Sequence, residues 1–230
     1  MRLSKRLERV AAFVPEGSRL ADVGTDHGYV PIFLILTGTI NRALAMDVRE
    51  GPLLRAAGHI RDYGLEAQIE TRLSDGLAQL EPGEADAVVI AGMGGELMIR
   101  ILEEGRHVWE DIRTWILSPQ SDLQKVREYL GEQGFLIEAE SMLTEDGKYY
   151  TVMRVVRGTM RYDREIDSLY GRYLIIHRDP VLMAFLEKEI RQTESILNHL
   201  KQQGSESAGI RIGELNRKLR LMKEAKHEMQ

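Results

Sequence analysis

Two short apolar segments of the sequence lead into residues whose types and spacing suit a nucleoside ligand. Asp22 lies near the end of the first segment and is followed by Gly24 and Gly28, and Asp47 lies near the end of the second. Glycines let a backbone approach a ligand closely, and an acid about 20 residues beyond such a turn accepts hydrogen bonds from ribose hydroxyls. The spacing therefore indicates a site for a cofactor that contains adenosine.

The charge of this glycine turn discriminates between cofactors. Asp26 and His27 stand between the two glycines. An acid there repels the pyrophosphate that a dinucleotide places at a helix N-terminus. S-adenosylmethionine has no phosphate and carries a sulfonium cation, so an acidic turn suits it better. Asp26 is also a residue type that caps helices, and the two roles are compatible.

Two further loops follow predicted strands. Asp75 and Gly76 form either an adenine contact, with the carboxylate accepting from the exocyclic amine, or an ordinary Ser-Asp-Gly turn. The glycine-rich run 91–95 follows a fully apolar strand, at the end where open α/β sheets bind ligands. It indicates backbone close to a flat ligand, or a tight turn that needs small residues. An Asp/Asn-Pro-Pro-aromatic motif, common in enzymes that methylate exocyclic amines, is absent, which disfavours that reaction.

Strand and helix patterns alternate around these loops. Apolar strands separated by amphipathic helices favour a mostly parallel sheet with helices on both faces. Phe135–Leu143 and Tyr149–Val156 flank a turn at 144–148, which predicts a closing antiparallel hairpin. This is an α/β pattern typical of Rossmann-like class I methyltransferases, which have a seven-stranded sheet.

The pattern changes after Gly158. Apolar residues recur at spacings of three and four from Leu182 to Leu200 and again from Ile212 to Met222, with a Gly/Ser-containing segment at 202–209 between them. The spacing predicts a C-terminal α-helical, coiled-coil-like hairpin. We therefore expect a methyltransferase domain at 1–157 and a helical domain at 158–230.

Composition excludes several classes of function. The 230 residues contain no cysteine, which excludes disulfides, thiolate nucleophiles and cysteine-bound zinc. The six histidines are scattered without metal-ligand spacing, so we expect no metal. The N-terminus lacks a secretory apolar region and no apolar run could span a bilayer, so we expect no membrane partner and a cytoplasmic location. The net charge of −5 means that any nucleic-acid contact must come from clustered basic residues.

Seven segments together resemble the bacterial tRNA (adenine-N1)-methyltransferases that act at position 22. The resemblance covers about the first 157 residues in motif order and spacing, and the helical part matches in type. The segments are Ser4–Leu7, Ala21–His27, Asp75–Leu77, Glu84–Asp86, Ile90–Gly95, Val126–Glu128 and Glu145–Lys148.

The resemblance implies S-adenosyl-L-methionine as cofactor and tRNA as partner. Methylation of adenine N1 needs no base and gives a cationic product, so the chemistry makes Asp26, in the loop after the first strand, the expected catalytic residue. It would orient the exocyclic amine of the target adenine or stabilise the developing cation. The expected cofactor-binding residues are Asp22, Gly24, Thr25, His27, Gly28, Asp47, Val48, Asp75, Gly76, Ala91, Gly92 and Met93. The expected substrate-binding residues are Tyr29, Gly94, Arg2, Lys5, Arg6 and Arg9, with a second basic group at Arg211, Arg217, Lys218, Arg220 and Lys223.

Other functions fit parts of the same sequence. A small-molecule methyltransferase of the same fold explains the cofactor loops but leaves the basic groups as ordinary solvated faces. An α/β scaffold whose helical hairpin is an interaction module explains the C-terminal region alone. A dinucleotide oxidoreductase is disfavoured by Asp26. The sequence does not indicate an oligomeric partner.

Overall fold

The computed structural model describes residues 1–203 and 206–230, with side chains outside 202–208. The chain forms two compact units, Met1–Met160 and Arg161–Gln230. The second unit begins close to the change in sequence pattern after Gly158.

A single seven-stranded sheet forms the centre of the first unit. Its order is β3-β2-β1-β4-β5-β7-β6. Strands β1 to β5 pair in parallel, and β7 runs antiparallel between β5 and β6. The predicted mostly parallel sheet with a closing antiparallel hairpin is therefore confirmed. The strands are β1 Arg19–Val23, β2 Arg42–Asp47, β3 Ile69–Leu73, β4 Ala87–Met93, β5 Thr114–Pro119, β6 Phe135–Glu145 and β7 Lys148–Arg157.

Helices cover both faces of this sheet because successive side chains of a strand point to opposite sides. In β4, Val88 and Ile90 belong to one apolar core, whereas Ala87 and Val89 belong to the other. The first core also contains side chains of α4 and α5, and the second contains side chains of α1, α2 and α3. The helices are α1 Lys5–Ala12, α2 Tyr29–Leu36, α3 Glu50–Asp62, α4 Gly95–Glu104 and α5 Leu123–Glu132, with a 3-10 turn at Arg106–Val108.

The strand order contains a topological switch point between β1 and β4. The chain runs outward from β1 to β2 and β3, and then returns to build β4 and β5 on the other side of β1. Loops at the carboxyl ends of β1 and β4 therefore diverge and leave a crevice, which is where open α/β sheets bind ligands. The sheet brings the loops after β1, β2, β3, β4 and β5 to this one edge.

Several residues of the resemblance hold the fold together. Arg127 and Glu140 form a buried ion pair, with Nη2 and Oε1 2.6 Å apart, that fastens α5 to β6. Asp86 pairs with Arg19. Glu145, at the end of β6, accepts a hydrogen bond of 2.6 Å from the backbone N–H of Lys5, which ties the start of α1 to the hairpin.

The second unit consists of helices α6 Glu165–Tyr170, α7 Arg172–Ile176, α8 Pro180–Gln203 and α9 Glu206–Glu228. Leu182, Leu186 and Leu197 of α8 and Leu215 and Met222 of α9 are buried, as the apolar spacing predicts. The two long helices extend further than expected: most of the predicted loop at 202–209 is helical, and residues 204–205 lie outside the described part. Helices α6 and α7 were missed because five or six residues are too few to show a periodicity.

In the described residues, no helix combines the length and the apolar composition needed to cross a membrane.

Candidate active site

The loop after β1 is fixed by backbone hydrogen bonds that it donates to the neighbouring strand β2. The N–H groups of Gly24 and Thr25 both donate to the carbonyl of Met46, over 2.8 and 2.9 Å. The Thr25 hydroxyl accepts from the N–H of Gly28 over 3.2 Å, which closes the turn before α2. Gly24 has a φ of +79°, a conformation that other residues adopt only with strain. Thr25 therefore closes the turn, and Gly24 supplies the positive φ that the turn needs.

The predicted helix-capping role of Asp26 is not found. Gly28 occupies the N-cap position of α2 and no side chain caps the helix. Instead the Asp26 carboxylate forms an ion pair with Arg55 of α3 and lies 3.2 Å from His27 Nε2. The Arg55 guanidinium holds the pKa of Asp26 below its usual range. Since 57% of the side chain remains exposed, Asp26 is an ionised group at the mouth of the crevice.

Three aromatic rings stack beside this ion pair. The ring centroids of His27, Tyr29 and His59 lie between 4.9 and 5.3 Å apart, and the planes are nearly parallel. His59 Nδ1 contacts the carbonyl of His27 over 3.0 Å, which connects α3 to the loop. His27 Nδ1 is buried without a hydrogen-bond partner in the described structure. The stack gives the acidic loop a flat aromatic wall.

Two buried acids stand at the ends of adjacent strands. The pKa of Asp22 is raised to about 6, chiefly by burial and to a lesser extent by the nearby charge of Asp47, against the opposing effect of a hydrogen bond from the Thr25 hydroxyl. Asp47 Oδ1 accepts from the backbone N–H of Arg49 over 2.8 Å. Val48, between Asp47 and Arg49 in the chain, is 58% exposed at the rim of the crevice. The Asp47 carboxylate can accept hydrogen bonds from ribose hydroxyls, and the exposed Val48 side chain beside it can cover an adenine.

The turn after β3 carries the third predicted acid. The Ser74 hydroxyl donates to the Gly76 carbonyl over 2.9 Å and holds the turn in place. The Asp75 carboxylate is exposed, and its Oδ1 lies 3.5 Å from Nη2 of Arg100 on α4. Gly76 has a φ of +56°. Both earlier interpretations fit this geometry, because the turn is ordinary and its carboxylate still faces solvent at the carboxyl edge of the sheet.

The glycines at the end of β4 and at the start of α4 serve two purposes. A Cβ on Gly95 would stand 2.6 Å from the Ser121 carbonyl oxygen, so this glycine lets the β5–α5 loop pack closely. A Cβ on Gly92 would stand 3.4 Å from Nη1 of Arg6 and 3.8 Å from Nε2 of Gln120, both polar groups. Gly92 has a φ of +81°. Gly95 is thus a packing residue, whereas Gly92 opens the backbone towards polar side chains.

The N-terminal basic residues differ in their burial. Arg2 precedes α1, Lys5 and Arg9 are exposed, and Arg6 is half-buried with its guanidinium 5.5 Å from the centre of the Tyr150 ring. Arg6 turns inward because α1 packs against the end of the hairpin, so its tip reaches the β4 loop. In the described part of the chain, none of these four residues forms an ion pair with a carboxylate.

The C-terminal basic group is different, because four of its five members pair with acids. Lys218 contacts Glu189 and Lys223 contacts Glu194, over 2.8 and 2.7 Å. The remaining pairs are Arg211 with Glu214 and Arg217 with Glu165. Local carboxylates therefore neutralise most of this predicted surface.

Sequence reasoning missed Arg55, His59, Arg100 and Gln120. Each lies far along the chain from the motif that it contacts, and no local pattern distinguishes it from a surface residue. Among the described residues, no cluster of three or more histidine or acidic side chains could hold a metal ion.

Together these features define a class of protein. A sheet of order 3-2-1-4-5-7-6, a glycine loop after β1, a buried acid after β2 and a glycine-rich end of β4 are those of a Rossmann-like methyltransferase domain. A family model described as a methyltransferase domain matches residues 3–153.

Comparison with known proteins narrows the class. The chain is 34% identical to the tRNA (adenine(22)-N(1))-methyltransferase of Bacillus subtilis, over 97% of both chains. A Streptococcus pneumoniae protein solved with S-adenosyl-L-methionine is 37% identical and has a TM-score of 0.87, over 98% of this chain and 100% of that one. An M. capricolum protein solved with S-adenosyl-homocysteine is 25% identical and has a TM-score of 0.85, over 100% of both. The chain belongs to the tRNA (adenine(22)-N(1))-methyltransferase family.

Proposed function

We propose that this protein transfers a methyl group from S-adenosylmethionine to N1 of the adenine at position 22 of tRNA. The observation that carries the proposal is the division of the crevice at the switch point. The loops after β1, β2 and β3 carry the acids and Gly24 on one side. On the other side Gln120 follows β5, and Arg6 of α1 reaches Gly92 near the end of β4. One side suits a nucleoside cofactor and the other suits an RNA acceptor.

The residues of the cofactor side fit S-adenosylmethionine. Gly24 gives the loop after β1 its positive φ and leaves room for the Met93 side chain, and Asp47 offers a carboxylate at the end of β2 for the ribose hydroxyls. Asp22 and Asp26 make this side acidic, which favours a sulfonium and disfavours a diphosphate. Val48 and Asp75 flank the expected position of the adenine ring, and the flat wall of His27 stands beside the loop.

The reaction needs positioning more than proton removal. The cofactor supplies an electrophilic methyl group on a sulfonium. Adenine N1 already has an in-plane lone pair, which forms the new N–C bond as the C–S bond breaks and its electron pair returns to sulfur. The positive charge then resides on the methylated adenine. In-line alignment and stabilisation of that charge are the contributions that the protein must make.

Asp26 is the catalytic residue that we propose. Arg55 keeps its carboxylate ionised and fixes its direction, and the residue lies in the loop that borders the cofactor. An ionised carboxylate can accept a hydrogen bond from the exocyclic amine and stabilise the developing cation. Tyr29, in the adjacent ring stack, offers a surface for an adenine that has left its own stack.

The N-terminal basic group is the tRNA-binding surface that we propose. Arg2, Lys5, Arg6 and Arg9 have no carboxylate partner in the described structure, so their charge is available to phosphates. Of the C-terminal group, Arg220 alone among the described residues lacks such a partner. We propose that the helical unit, residues 158–230, contributes a domain of its own and that the protein acts in the cytoplasm, where its substrate is modified.

Methylation of defined transcripts tests the proposal. Unmodified tRNA with adenine at position 22 is incubated with the protein and S-adenosylmethionine, digested with nuclease and analysed by mass spectrometry. We expect 1-methyladenosine at position 22, and none in a matched transcript with guanine there. Cofactor binding without methylation of any tRNA would contradict the proposal and favour a small-molecule methyltransferase.

A further inference from the structure

We propose that Gln120 is a specificity-determining residue that recognises the Hoogsteen edge of the target adenine. The inference rests on the proposed function, and it assigns a role to a residue that neither motif nor resemblance indicated. Its side chain would accept a hydrogen bond from the N6 amine and donate one to N7.

The backbone of Gln120 is fixed at the acceptor side of the crevice. It follows Pro119 at the carboxyl end of β5, and its N–H donates to the carbonyl of Met93 over 2.8 Å. This bond locks the start of the β5–α5 loop onto the end of β4. The side chain therefore projects from a rigid position, which recognition of a base requires.

The carboxamide of Gln120 is available to a ligand. The residue is exposed, and its side chain forms no hydrogen bond within the described chain. Nε2 would stand 3.8 Å from a Cβ on Gly92, and Nη1 of Arg6 would stand 3.4 Å from the same atom. A carboxamide and an unpaired guanidinium thus converge on a residue without a side chain. The carboxamide can form hydrogen bonds with the edge of a base, and the guanidinium can pair with a phosphate of the bound RNA.

The chemistry of the reaction selects the edge that is read. N1 belongs to the Watson–Crick edge and must face the methyl group. The N6 amine has two hydrogens, so the proposed contact of Asp26 with the one on that edge leaves the other free. The Hoogsteen edge remains, and it presents the N6 amine as donor and N7 as acceptor. A glutamine carboxamide matches this pair in a bidentate arrangement. Guanine presents two acceptors on the same edge, so one of the two bonds would become a repulsion.

An atomic substitution in the RNA tests this contact. Two tRNAs are assembled by ligation, identical except for adenosine or 7-deazaadenosine at position 22, and kcat/KM is measured with each. The deaza base keeps N1 and N6 but lacks the N7 acceptor. For the unsubstituted protein we expect kcat/KM to fall roughly 10-fold or more on the deaza substrate, within the range of a bidentate base contact.

Two variants connect that loss to Gln120. Gln120→Ala should have a low kcat/KM on adenosine and lose nothing further on 7-deazaadenosine. Gln120→Glu can still accept from N6 but repels N7, so it should prefer the deaza substrate. Gln68→Ala is the matched control, because Gln68 is an exposed glutamine at the opposite edge of the sheet. It should lose as much kcat/KM on the 7-deazaadenosine tRNA as the unsubstituted protein does.

The outcomes separate the inference from the proposed function. Thermal unfolding and S-adenosylmethionine affinity should be unchanged in both Gln120 variants, which excludes misfolding. Normal methylation of both tRNAs by the unsubstituted protein would overturn the role of Gln120 alone. It would also be overturned if Gln120→Ala lost as much kcat/KM on the 7-deazaadenosine tRNA as the unsubstituted protein does. Failure to methylate the adenosine tRNA would instead contradict the proposed function.

Discussion

The side chain of Met93 lies directly over the α-carbon of Gly24. A Cβ on Gly24 would overlap Met93 Cε, so only a glycine leaves this methionine its place. Gly24 follows β1 and Met93 ends β4, the two strands that flank the switch point. The contact therefore spans the boundary between the proposed cofactor side and the proposed acceptor side. In the proposed arrangement, the methyl group is transferred close to this pair.

Gly24→Ala should weaken S-adenosylmethionine binding by about tenfold or more, equivalent to about 1.4 kcal/mol. The new Cβ would displace the end of the Met93 side chain, which belongs to the expected cofactor site. Backbone strain at positive φ costs a further ~1–2 kcal/mol of stability. Gly38→Ala isolates that strain, since its φ is +73° and nothing lies within 4 Å of the added Cβ. Calorimetry should show normal affinity for Gly38→Ala, and equal loss in both variants would remove Gly24 from the site.

Asp22→Asn should change how stability depends on pH. Burial raises the pKa of Asp22 from 3.8 to about 6 in the folded protein. Between these values the folded state binds more protons than the unfolded state, so this group makes stability fall as pH rises to about 6 and stay level above it. The variant lacks this decrease. Between low pH and pH 7, its free energy of unfolding should therefore rise relative to that of the unsubstituted protein by about 3 kcal/mol at most.

Urea denaturation at pH 4 and pH 7 measures this difference. Asp62→Asn is the control, because Asp62 is an exposed acid at the end of α3. It should follow the pH dependence of the unsubstituted protein. If Asp22→Asn follows it as well, Asp22 titrates normally in the folded state.

Asp26→Asn should reduce turnover far more than tRNA or cofactor affinity. A carboxylate that acts chiefly on the developing cation is needed in the transition state, and its loss lowers kcat with little change in KM. Because Arg55 holds the pKa of Asp26 low, the activity that depends on Asp26 should not titrate near neutral pH. Single-turnover rates measure the effect. A variant with the kcat of the unsubstituted protein would limit Asp26 to its ion pair with Arg55.

Lys5→Ala and Arg9→Ala should each weaken tRNA binding and reduce its dependence on salt. Each phosphate contact releases a counterion, so removal of one should lower the slope of log affinity against log salt by about 1. Filter binding across a salt series measures the slope. Arg220→Ala is the comparison, as an exposed arginine of α9 without an acidic partner in the described chain. A larger loss at Arg220 would assign the footprint to the helical unit instead.

The sequence by itself determined the architecture and most of the crevice. Strand and helix periodicity is local, and parallel strands separated by helices must place their carboxyl ends at one edge, so the loops at Gly24, Asp47, Asp75 and Gly92 could be placed without coordinates. The fully apolar run of β4 identified a central strand, and the turn at 144–148 identified the hairpin.

Only the tertiary structure decided which side chains meet at that edge. Arg55 reaches Asp26 from α3, and Gln120 and Arg6 approach Gly92 from opposite ends of the domain sequence. The same holds for charge. The sequence predicts that Lys218 and Lys223 contact RNA, but acids of α8 neutralise them in the structure. Lys5 and Arg9 have no such acidic partner in the described chain. Such pairings depend on packing between elements that are far apart in the chain. Periodicity and composition are properties of the sequence that do not show which of these elements come into contact.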